Sequence, residues 1–294
     1  MKILENYKYP FSGNQIEQKI IEIKEKSKSN YTVENLKKAF SFIDLTSLNS
    51  TDKVSEIEAM CQKVNTFSKD NPDFTNVAAI CVYPSMVETV KKTLTAKNIE
   101  IAAVSAGFPS AQTFIEIKKL ESEIAIKKGA DELDIVISIG ELLSGNYQKV
   151  YDEIKIVKDA IGTHHLKVIL ESGALENPEN IWKASILAME AGADFIKTST
   201  GKLQPAATLE AAIVMSEAIK AFNIKHNKKI GFKPAGGVST GHQAIEYYTV
   251  MKETLGNDWL NSKLFRIGAS SLANNILSEI SSIESGIDVK IKYF

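Results

Sequence analysis

The sequence predicts an α/β fold, a (β/α)8 TIM barrel with a helical extension before its first strand. Eight short β-branched, apolar runs are each followed by a longer segment with helical periodicity, and the runs start about 24 to 36 residues apart. Several runs are apolar nearly throughout, as parallel strands covered on both faces are. A length of 294 residues suits one such barrel. The rival Rossmann-type fold would need a GxGxxG motif after the first strand, and none is present there.

The strands can be assigned in chain order. We predict them at Ser41–Thr46, Asn76–Pro84, Glu100–Gly107, Ala130–Ile137, Leu166–Gly173, Asp194–Thr200, Lys229–Gly236 and Leu264–Ala269. The predicted organisation is an N-terminal helical extension over residues 1–40, a catalytic barrel over 41–283 and a tail over 284–294.

The helices between the strands carry their own start signals. Ser85–Glu88 and Thr240–Gln243 fit the capping box, in which two side chains satisfy free amide groups. Asn177 is a cap residue before Pro178 at the first helical position. Ahead of the barrel, the amphipathic stretches Ile16–Ile23 and Val33–Phe40 are expected to cap its closed bottom.

Composition excludes several classes of function. Lysine plus arginine is 35 and aspartate plus glutamate is 36, a formal charge of −1 that does not suit nonspecific nucleic-acid binding. No apolar run approaches the roughly 18 residues that span a membrane, and Met1–Asn6 is too polar for a signal peptide. Cys61 and Cys81 cannot build a disulfide framework, so we expect a reducing, cytoplasmic location. No cluster of residues has metal-ligand spacing.

Two lysines stand out because they lie inside strands that should be buried. Lys197 and Lys233 occupy matching positions in neighbouring strands. Neighbouring strands of a sheet lie about 4.8 Å apart, so two lysines that point inward there would have their amines close together. Like charge and desolvation both favour a neutral amine, which is the nucleophile that Schiff-base chemistry requires. The alternative is that one or both lysines form ion pairs with Asp134 or Glu171.

Acidic residues also fall in or at the ends of strands. Glu132 and Asp134 share one face of the fourth strand, so either carboxylate could point inward. An acid beside an amine can shuttle protons during Schiff-base chemistry, although a pure ion pair is the alternative role for Asp134. Asp44 ends the first strand, where it could equally cap a helix or turn.

Glycine-rich turns follow the last two strands, where barrels often bind phosphate. They are Pro234–Val238 and Arg266–Ser271, and Thr200–Lys202 adds a cation at the same rim. Glycine lets the backbone approach a ligand, and helix N-termini offer free amide groups to an anion. Ordinary tight turns are the alternative interpretation.

The motifs resemble the deoxyribose-phosphate aldolases, a family of class I, Schiff-base aldolases with the (β/α)8 fold. The resemblance runs from about residue 41 to 275 and rests on seven segments: Asp44–Leu48, Ala79–Pro84, Gly129–Asp134, Leu166–Gly173, Gly192–Lys202, Gly231–Gly237 and Arg266–Ser271. It implies that Lys197 is the Schiff-base lysine, that Lys233 perturbs it and that Asp134 relays protons. The substrate-binding residues, from the resemblance and from their places at strand ends, would be Asp44, Thr46, Cys81, Thr200, Lys202, Gly236, Gly237, Gly268, Ser270 and Ser271.

The reaction implied by this resemblance is the reversible cleavage of 2-deoxy-D-ribose 5-phosphate to D-glyceraldehyde 3-phosphate and acetaldehyde. No metal or other cofactor is expected, because the iminium of Lys197 acts as the electron sink. The expected partners are the small phosphorylated sugar and acetaldehyde, with no nucleic acid and no membrane, and a homodimer is one hypothesis for the assembly. Two alternatives remain: another phosphate-binding barrel enzyme, such as an isomerase or metal-dependent aldolase, and an inactive metabolite-binding regulator.

The C-terminal run Lys290–Phe294 pairs cations with aromatic side chains. Roughly ten extended residues reach about 33 Å, enough to return from the bottom of the barrel to its catalytic rim. We therefore hypothesise that the tail visits the active site and that the Tyr293 hydroxyl assists proton transfer at the methyl carbon. A surface-packed or frayed end is the alternative.

Overall fold

The computed structural model describes residues 1–294 and confirms the (β/α)8 barrel. Its eight parallel strands are β1 (Ile43–Thr46), β2 (Ala79–Val82), β3 (Glu100–Ser105), β4 (Glu132–Val136), β5 (His165–Ile169), β6 (Phe195–Lys197), β7 (Gly231–Lys233) and β8 (Ile267–Ala269). Each predicted strand range overlaps one of them.

The strands pair in the order β7-β6-β5-β4-β3-β2-β1-β8. The ring closes between β7 and β8 through two isolated parallel bridges, Phe232 with Phe265 and Ala235 with Gly268. The register between β6 and β7 sets Lys197 directly beside Lys233. The carboxyl ends of all eight strands therefore meet at one face of the barrel, where barrel enzymes carry their active sites.

Twelve α-helices accompany the strands. They are α1 (Lys2–Glu5), α2 (Gln15–Asn30), α3 (Val33–Phe40), α4 (Val54–Asp70), α5 (Val87–Thr93), α6 (Ile115–Lys127), α7 (Ile139–Leu143), α8 (Tyr147–Ile161), α9 (Pro178–Glu190), α10 (Leu209–His226), α11 (Gly241–Leu255) and α12 (Leu272–Ser285). Three 3-10 turns, Pro84–Met86, Ser172–Ala174 and Asn257–Trp259, complete the secondary structure.

The cap predictions have different outcomes. Thr240 forms the predicted capping box of α11, and the Asn177 side chain accepts a hydrogen bond from the backbone of Asn180 in α9. The box predicted at Ser85 is wrong. A 3-10 turn occupies this position, and α5 begins only at Val87.

The N-terminal helices lie on the outside of the barrel. Helix α2 packs against α10 and α11, where Asn30 donates a hydrogen bond to the Thr249 hydroxyl at 3.0 Å. Helix α3 packs against α11 and α12. These contacts extend the outer helical layer and correct the expectation that this segment caps the bottom of the barrel.

The tail returns along α12, held by polar side chains one turn apart. The Ser282 and Ser278 hydroxyls accept hydrogen bonds from the amides of Val289 and Ile291, at 2.9 and 2.8 Å. Asn274 accepts from the Tyr293 amide at 2.8 Å. Because these contacts fall on alternate tail residues, the tail is an extended segment fixed to the outer surface.

No helix of the structure is both long enough and apolar enough to cross a membrane.

Candidate active site

A cavity of about 340 Å³ opens at the carboxyl ends of the strands. Of the residues predicted for the site, those that line this cavity are Thr46, Lys197, Thr200, Lys202, Gly236, Gly237, Gly268, Ser270 and Ser271. Asp44, Cys81, Asp134 and Lys233 are fully buried and do not line it. The structure thus brings the predicted residues to the cavity and the barrel interior around it.

Asp134 connects the two strand-borne lysines. Its Oδ2 accepts from the Nζ of Lys197 and from the Nζ of Lys233, both at 2.8 Å. Lys233 Nζ also lies 2.5 Å from the Oδ2 of Asp44. The lysines therefore do pair with Asp134, as the ion-pair alternative stated, and Asp44 is an ion-pair partner rather than a cap.

Two further basic residues extend this buried cluster. Lys167 on β5 contacts Glu132 at 2.5 Å and Asp134 at 3.1 Å. Arg266, just before β8, reaches Asp44 at 2.8 Å and Glu132 at 3.0 Å. Both carboxylates of β4 thus point inward, which settles the choice that strand alternation left open.

We call these seven side chains the charge network: Asp44, Glu132, Asp134, Lys167, Lys197, Lys233 and Arg266. Three carboxylates face four basic groups, so the network balances when one base is neutral. Since an uncompensated buried charge is costly, this count favours one neutral base. Lys197 is the only member of the network that lines the cavity.

The pKa shifts single out the same residue. Burial lowers the pKa of Lys197, Asp134 opposes this, and the charge of Lys233 adds to the lowering. Burial also acts to lower the pKa of Lys233, but Asp134 and Asp44 outweigh it and raise that pKa. The pKa of Lys167 is likewise raised, because Asp134 and Glu132 outweigh burial. Lys197 is therefore the base that most readily becomes a neutral amine.

Asp134 is an ionised carboxylate in this setting. Burial alone would raise its pKa, but Lys167, Lys197 and Lys233 hold the pKa of Asp134 well below its ordinary value. An amine at Lys197 can donate one N–H to Asp134 and keep its lone pair free. This arrangement can support nucleophilic attack from the cavity floor, with a proton acceptor in contact.

Thr46 and Cys81 were also predicted to belong to the site. The Thr46 hydroxyl donates to the Asp44 carbonyl oxygen at 2.7 Å. Burial raises the pKa of the Cys81 thiol, which makes it a poor nucleophile. Neither observation gives Thr46 or Cys81 a direct part in the chemistry.

The other end of the cavity is lined by small residues at helix starts. Ser271 precedes α12 and its side chain makes no capping hydrogen bond there, so the hydroxyl and the first amides of α12 can face a ligand. Gly236 is required by space, since a Cβ there would lie 2.7 Å from Ala206 and 2.9 Å from Gly201. Lys202 extends over the cavity to the carbonyl oxygen of Leu48. This end can hold an anion.

Sequence reasoning missed Lys167 and the pairing of Arg266. Lys167 interrupts the apolar run of β5, so the argument that identified Lys197 would also have identified it. Asn49 and Ser239 also line the cavity, and no motif marked them.

The structure does not place Tyr293 at the cavity. Its hydroxyl donates to Asp70 at 2.7 Å on α4, and no tail residue lines the site. The hypothesis that the tail enters the active site is therefore not supported by this arrangement.

Comparison with known proteins identifies aldolases that are similar to this chain. The family described as "DeoC/LacD family aldolase" matches residues 38–270. The deoxyribose-phosphate aldolase of Homo sapiens is 43% identical over 256 residues, which are 83% of this chain and 80% of the human protein. The solved structure titled "QR15, an Aldolase" is 28% identical with a TM-score of 0.69, over 84% of this chain and 98% of that one.

A third similarity concerns the fold alone. The deoxyribose phosphate aldolase from Aeropyrum pernix, whose title reports a unique tetrameric structure, is 21% identical with a TM-score of 0.67. The match covers 90% of this chain and 98% of that one.

Proposed function

The chain belongs to the DeoC/LacD family of aldolases, and on this basis we propose that it reversibly cleaves 2-deoxy-D-ribose 5-phosphate. The products are D-glyceraldehyde 3-phosphate and acetaldehyde, and the enzyme is a carbon–carbon lyase of the aldehyde-lyase type. One observation carries the assignment of the chemistry to particular residues. Lys197 alone among the buried bases both lines the cavity and has a lowered pKa.

The nucleophile is Lys197. In the synthetic direction its neutral amine attacks the carbonyl carbon of acetaldehyde and forms a carbinolamine. Loss of water gives an iminium, which withdraws electrons from the adjacent carbon. A proton then leaves the methyl carbon, and the resulting enamine attacks the aldehyde of glyceraldehyde 3-phosphate. Hydrolysis releases the sugar phosphate and restores the amine.

Asp134 relays protons for these steps. Its Oδ2 contacts both Lys197 and Lys233, so a proton can pass from the Lys233 ammonium through Asp134 to the departing hydroxyl. In the reverse direction Asp134 takes the proton back. Lys233 has the second task of keeping Lys197 uncharged through like-charge repulsion.

The phosphate binds at the opposite end of the cavity, on Gly236, Gly237, Gly268, Ser270 and Ser271. Backbone amides and serine hydroxyls there can donate to phosphate oxygens, and the start of α12 adds its helix dipole. Thr200 and Lys202 lie along the wall near the sugar. The substrate thus spans the cavity, with its carbonyl carbon at Lys197.

Borohydride reduction in the presence of acetaldehyde tests this function. We expect one N-ethyl lysine per chain, mapped by peptide mass spectrometry to Lys197, and retro-aldol turnover that is unchanged by a metal chelator. Label on Lys233 would reverse the two lysine roles. No label, or activity lost with the chelator, would favour a metal-dependent enzyme, whereas binding without turnover would favour a regulator.

The remaining organisation is also a proposal. We assign catalysis to residues 41–283 and place residues 1–40 and 284–294 outside the catalytic barrel, where their contacts with outer helices support this division. A homodimer is supported by exposed Ile117, Leu120 and Ile124 on α6, and sedimentation velocity tests it. The free cysteines support a cytoplasmic location.

A further inference from the structure

Glu171 is a buried carboxylate that the mechanism above does not use. It is only 3% exposed, and the other buried carboxylates, Asp44, Glu132 and Asp134, all form ion pairs. Glu171 forms none. A buried charged group normally has a charged or strongly hydrogen-bonded partner, so its actual partners indicate its role.

Both oxygens of Glu171 are taken by one residue of the cavity wall. Oε1 accepts from the backbone N–H of Thr200 at 3.1 Å, and Oε2 accepts from the Thr200 hydroxyl at 2.5 Å. This two-point contact fixes both the backbone and the side chain of Thr200. It also fixes where the hydroxyl proton of Thr200 points, namely away from the cavity and towards Glu171.

The hydroxyl of Thr200 is left with acceptor capacity only. A hydroxyl group has one proton and two lone pairs. The proton is given to Glu171, and one lone pair accepts the backbone N–H of Lys202 at 3.0 Å. Since Thr200 lines the cavity, the remaining lone pair suits a donor from the ligand, such as a sugar hydroxyl.

The backbone around Glu171 is built to hold this contact. The backbone of Glu171 has φ of 54° and ψ of 56°, a left-handed conformation that residues other than glycine rarely adopt. The Ser172 amide donates to the Thr198 carbonyl oxygen at 2.9 Å. A Cβ on Gly173 would overlap the carbonyl oxygen of Pro205. The loop after β5 therefore presses directly on the loop after β6, which carries Thr200 and Lys202.

We propose that Glu171 is a positioning residue that orients the Thr200 hydroxyl as an acceptor for a hydroxyl group of the sugar phosphate. The inference rests on the proposed function, since it assigns a binding contact for that substrate. The hydroxyl recognised lies between the reacting carbon and the phosphate, because Thr200 follows Lys197 by three residues and its neighbour Gly201 packs against Gly236. Glu171 itself does not line the cavity.

Glu171→Gln is the sharpest test because it changes little besides the hydrogen-bond polarity. The backbone N–H of Thr200 cannot turn around, so the amide oxygen should keep that contact. The amide NH2 then faces the Thr200 hydroxyl and forces its proton towards the cavity. We expect kcat/KM for 2-deoxyribose 5-phosphate to fall roughly tenfold, because the Thr200 hydroxyl then donates towards the cavity and can no longer accept the proton of the sugar hydroxyl.

The double-variant comparison shows whether Glu171 acts through Thr200. Thr200→Val removes the hydroxyl, so Glu171→Gln combined with Thr200→Val should cost no more than Thr200→Val alone, within about twofold. Borohydride labelling of Lys197 by acetaldehyde should stay at the wild-type level in every variant, because acetaldehyde does not extend along the cavity wall. Glu176→Gln changes an exposed carboxylate of the same loop and serves as the matched control with wild-type kinetics.

Several results would overturn the proposal. These are wild-type kcat/KM in Glu171→Gln, losses that multiply in the double variant, or a parallel loss of acetaldehyde labelling. If Glu171→Gln does not fold by circular dichroism, Glu171→Asp, whose shorter side chain cannot reach both donors, enters the same comparison. Wild-type enzyme that neither labels nor cleaves would instead refute the proposed function, and the inference with it.

Discussion

The two ends of the cavity differ in the kind of polar group that they contain: charged side chains at one end, and backbone amides and hydroxyl groups at the other. Beneath Lys197 the barrel interior holds the six other side chains of the charge network, which ion pairs connect to one another and to Lys197. At the other end, the turns before α11 and α12 offer glycine amides and serine hydroxyls, which carry no net charge. The floor can therefore set the protonation state of the nucleophile, whereas the neutral end can bind an anion without changing that state.

The difference has a simple physical cause. A buried charge must be balanced by another, so every member of the charge network depends on all the rest. Amide and hydroxyl donors carry no net charge and need no buried counter-charge. Changes at the floor should therefore alter rate, pH dependence and stability together, while changes at the neutral end should alter substrate affinity.

The largest effect is expected for Lys197→Met. Removal of the amine abolishes Schiff-base formation, and we expect kcat to fall by more than about a thousandfold. A retro-aldol assay and borohydride labelling measure the two losses. Lys69→Met, at an exposed lysine, is the control and should behave as wild type. Residual labelling of Lys197→Met at another lysine would show that a different amine can serve.

Arg266→Met should be the most destabilising change. It leaves Asp44 and Glu132 with fewer partners, and breaking such buried pairs costs about 3–5 kcal/mol of unfolding free energy. The pKa values of Asp44 and Glu132 are lowered in the folded protein, although burial alone would raise them, because basic neighbours outweigh it. Their contribution to stability is thus present above ordinary carboxyl pKa values and lost as the pH falls.

Acid unfolding of Arg266→Met should therefore begin at a higher pH than in the wild type. Denaturant melts over a pH series measure both effects. The control is Lys229→Met, which removes an exposed pair with Asp258 and should hardly change the melt. Equal stability of Arg266→Met and the wild type would mean that the network does not need this guanidinium.

Lys233→Leu tests the tuning of the nucleophile. Without the Lys233 charge, the network balances only when Lys197 is protonated, so the pKa of Lys197 should rise. The acidic limb of the pH–rate profile then moves to higher pH, and a limb that lies about one pH unit higher means a roughly tenfold lower rate at a given acidic pH. Lys202→Met should change KM but leave the limb in place. An unmoved limb with a uniformly lower rate would assign Lys233 to proton transfer alone.

Ser271→Ala should have the smallest effect. Loss of one hydroxyl donor to phosphate is expected to raise KM about two- to tenfold with little change in kcat. Acetaldehyde labelling of Lys197 should not change. The increase in KM should vanish with 2-deoxyribose that lacks the phosphate, and its persistence there would place Ser271 elsewhere on the substrate.

The sequence allowed the strands and the cavity residues to be predicted for a local reason. Strands of this barrel are short apolar runs, and a lysine inside one, such as Lys197, is conspicuous wherever it occurs. The rule that barrel sites lie at the carboxyl ends of strands then selects Ser270 and Ser271 as well. These signals are all contained within a few neighbouring residues.

Contacts between distant residues could not be predicted in this way. Nothing near Arg266 indicates that it meets Asp44, since only closure of the barrel brings them together. The tail shows the same limit: charge and aromatic content suggested the active site for Tyr293, but Asn274, Ser278 and Ser282 fix the tail to α12. Helix α2 was likewise expected beneath the barrel, although its contacts are with outer helices.

The pairing of Arg266 with Asp44 has a consequence for protein synthesis. These residues lie 222 positions apart, one before the last strand and the other in the first. During translation Asp44 emerges early, and its partner is among the last residues of the barrel to be made. A nascent chain that ends before residue 266 therefore has an incomplete charge network around Lys197. The charge network is therefore complete only when the first and last strands of the barrel meet, late in synthesis.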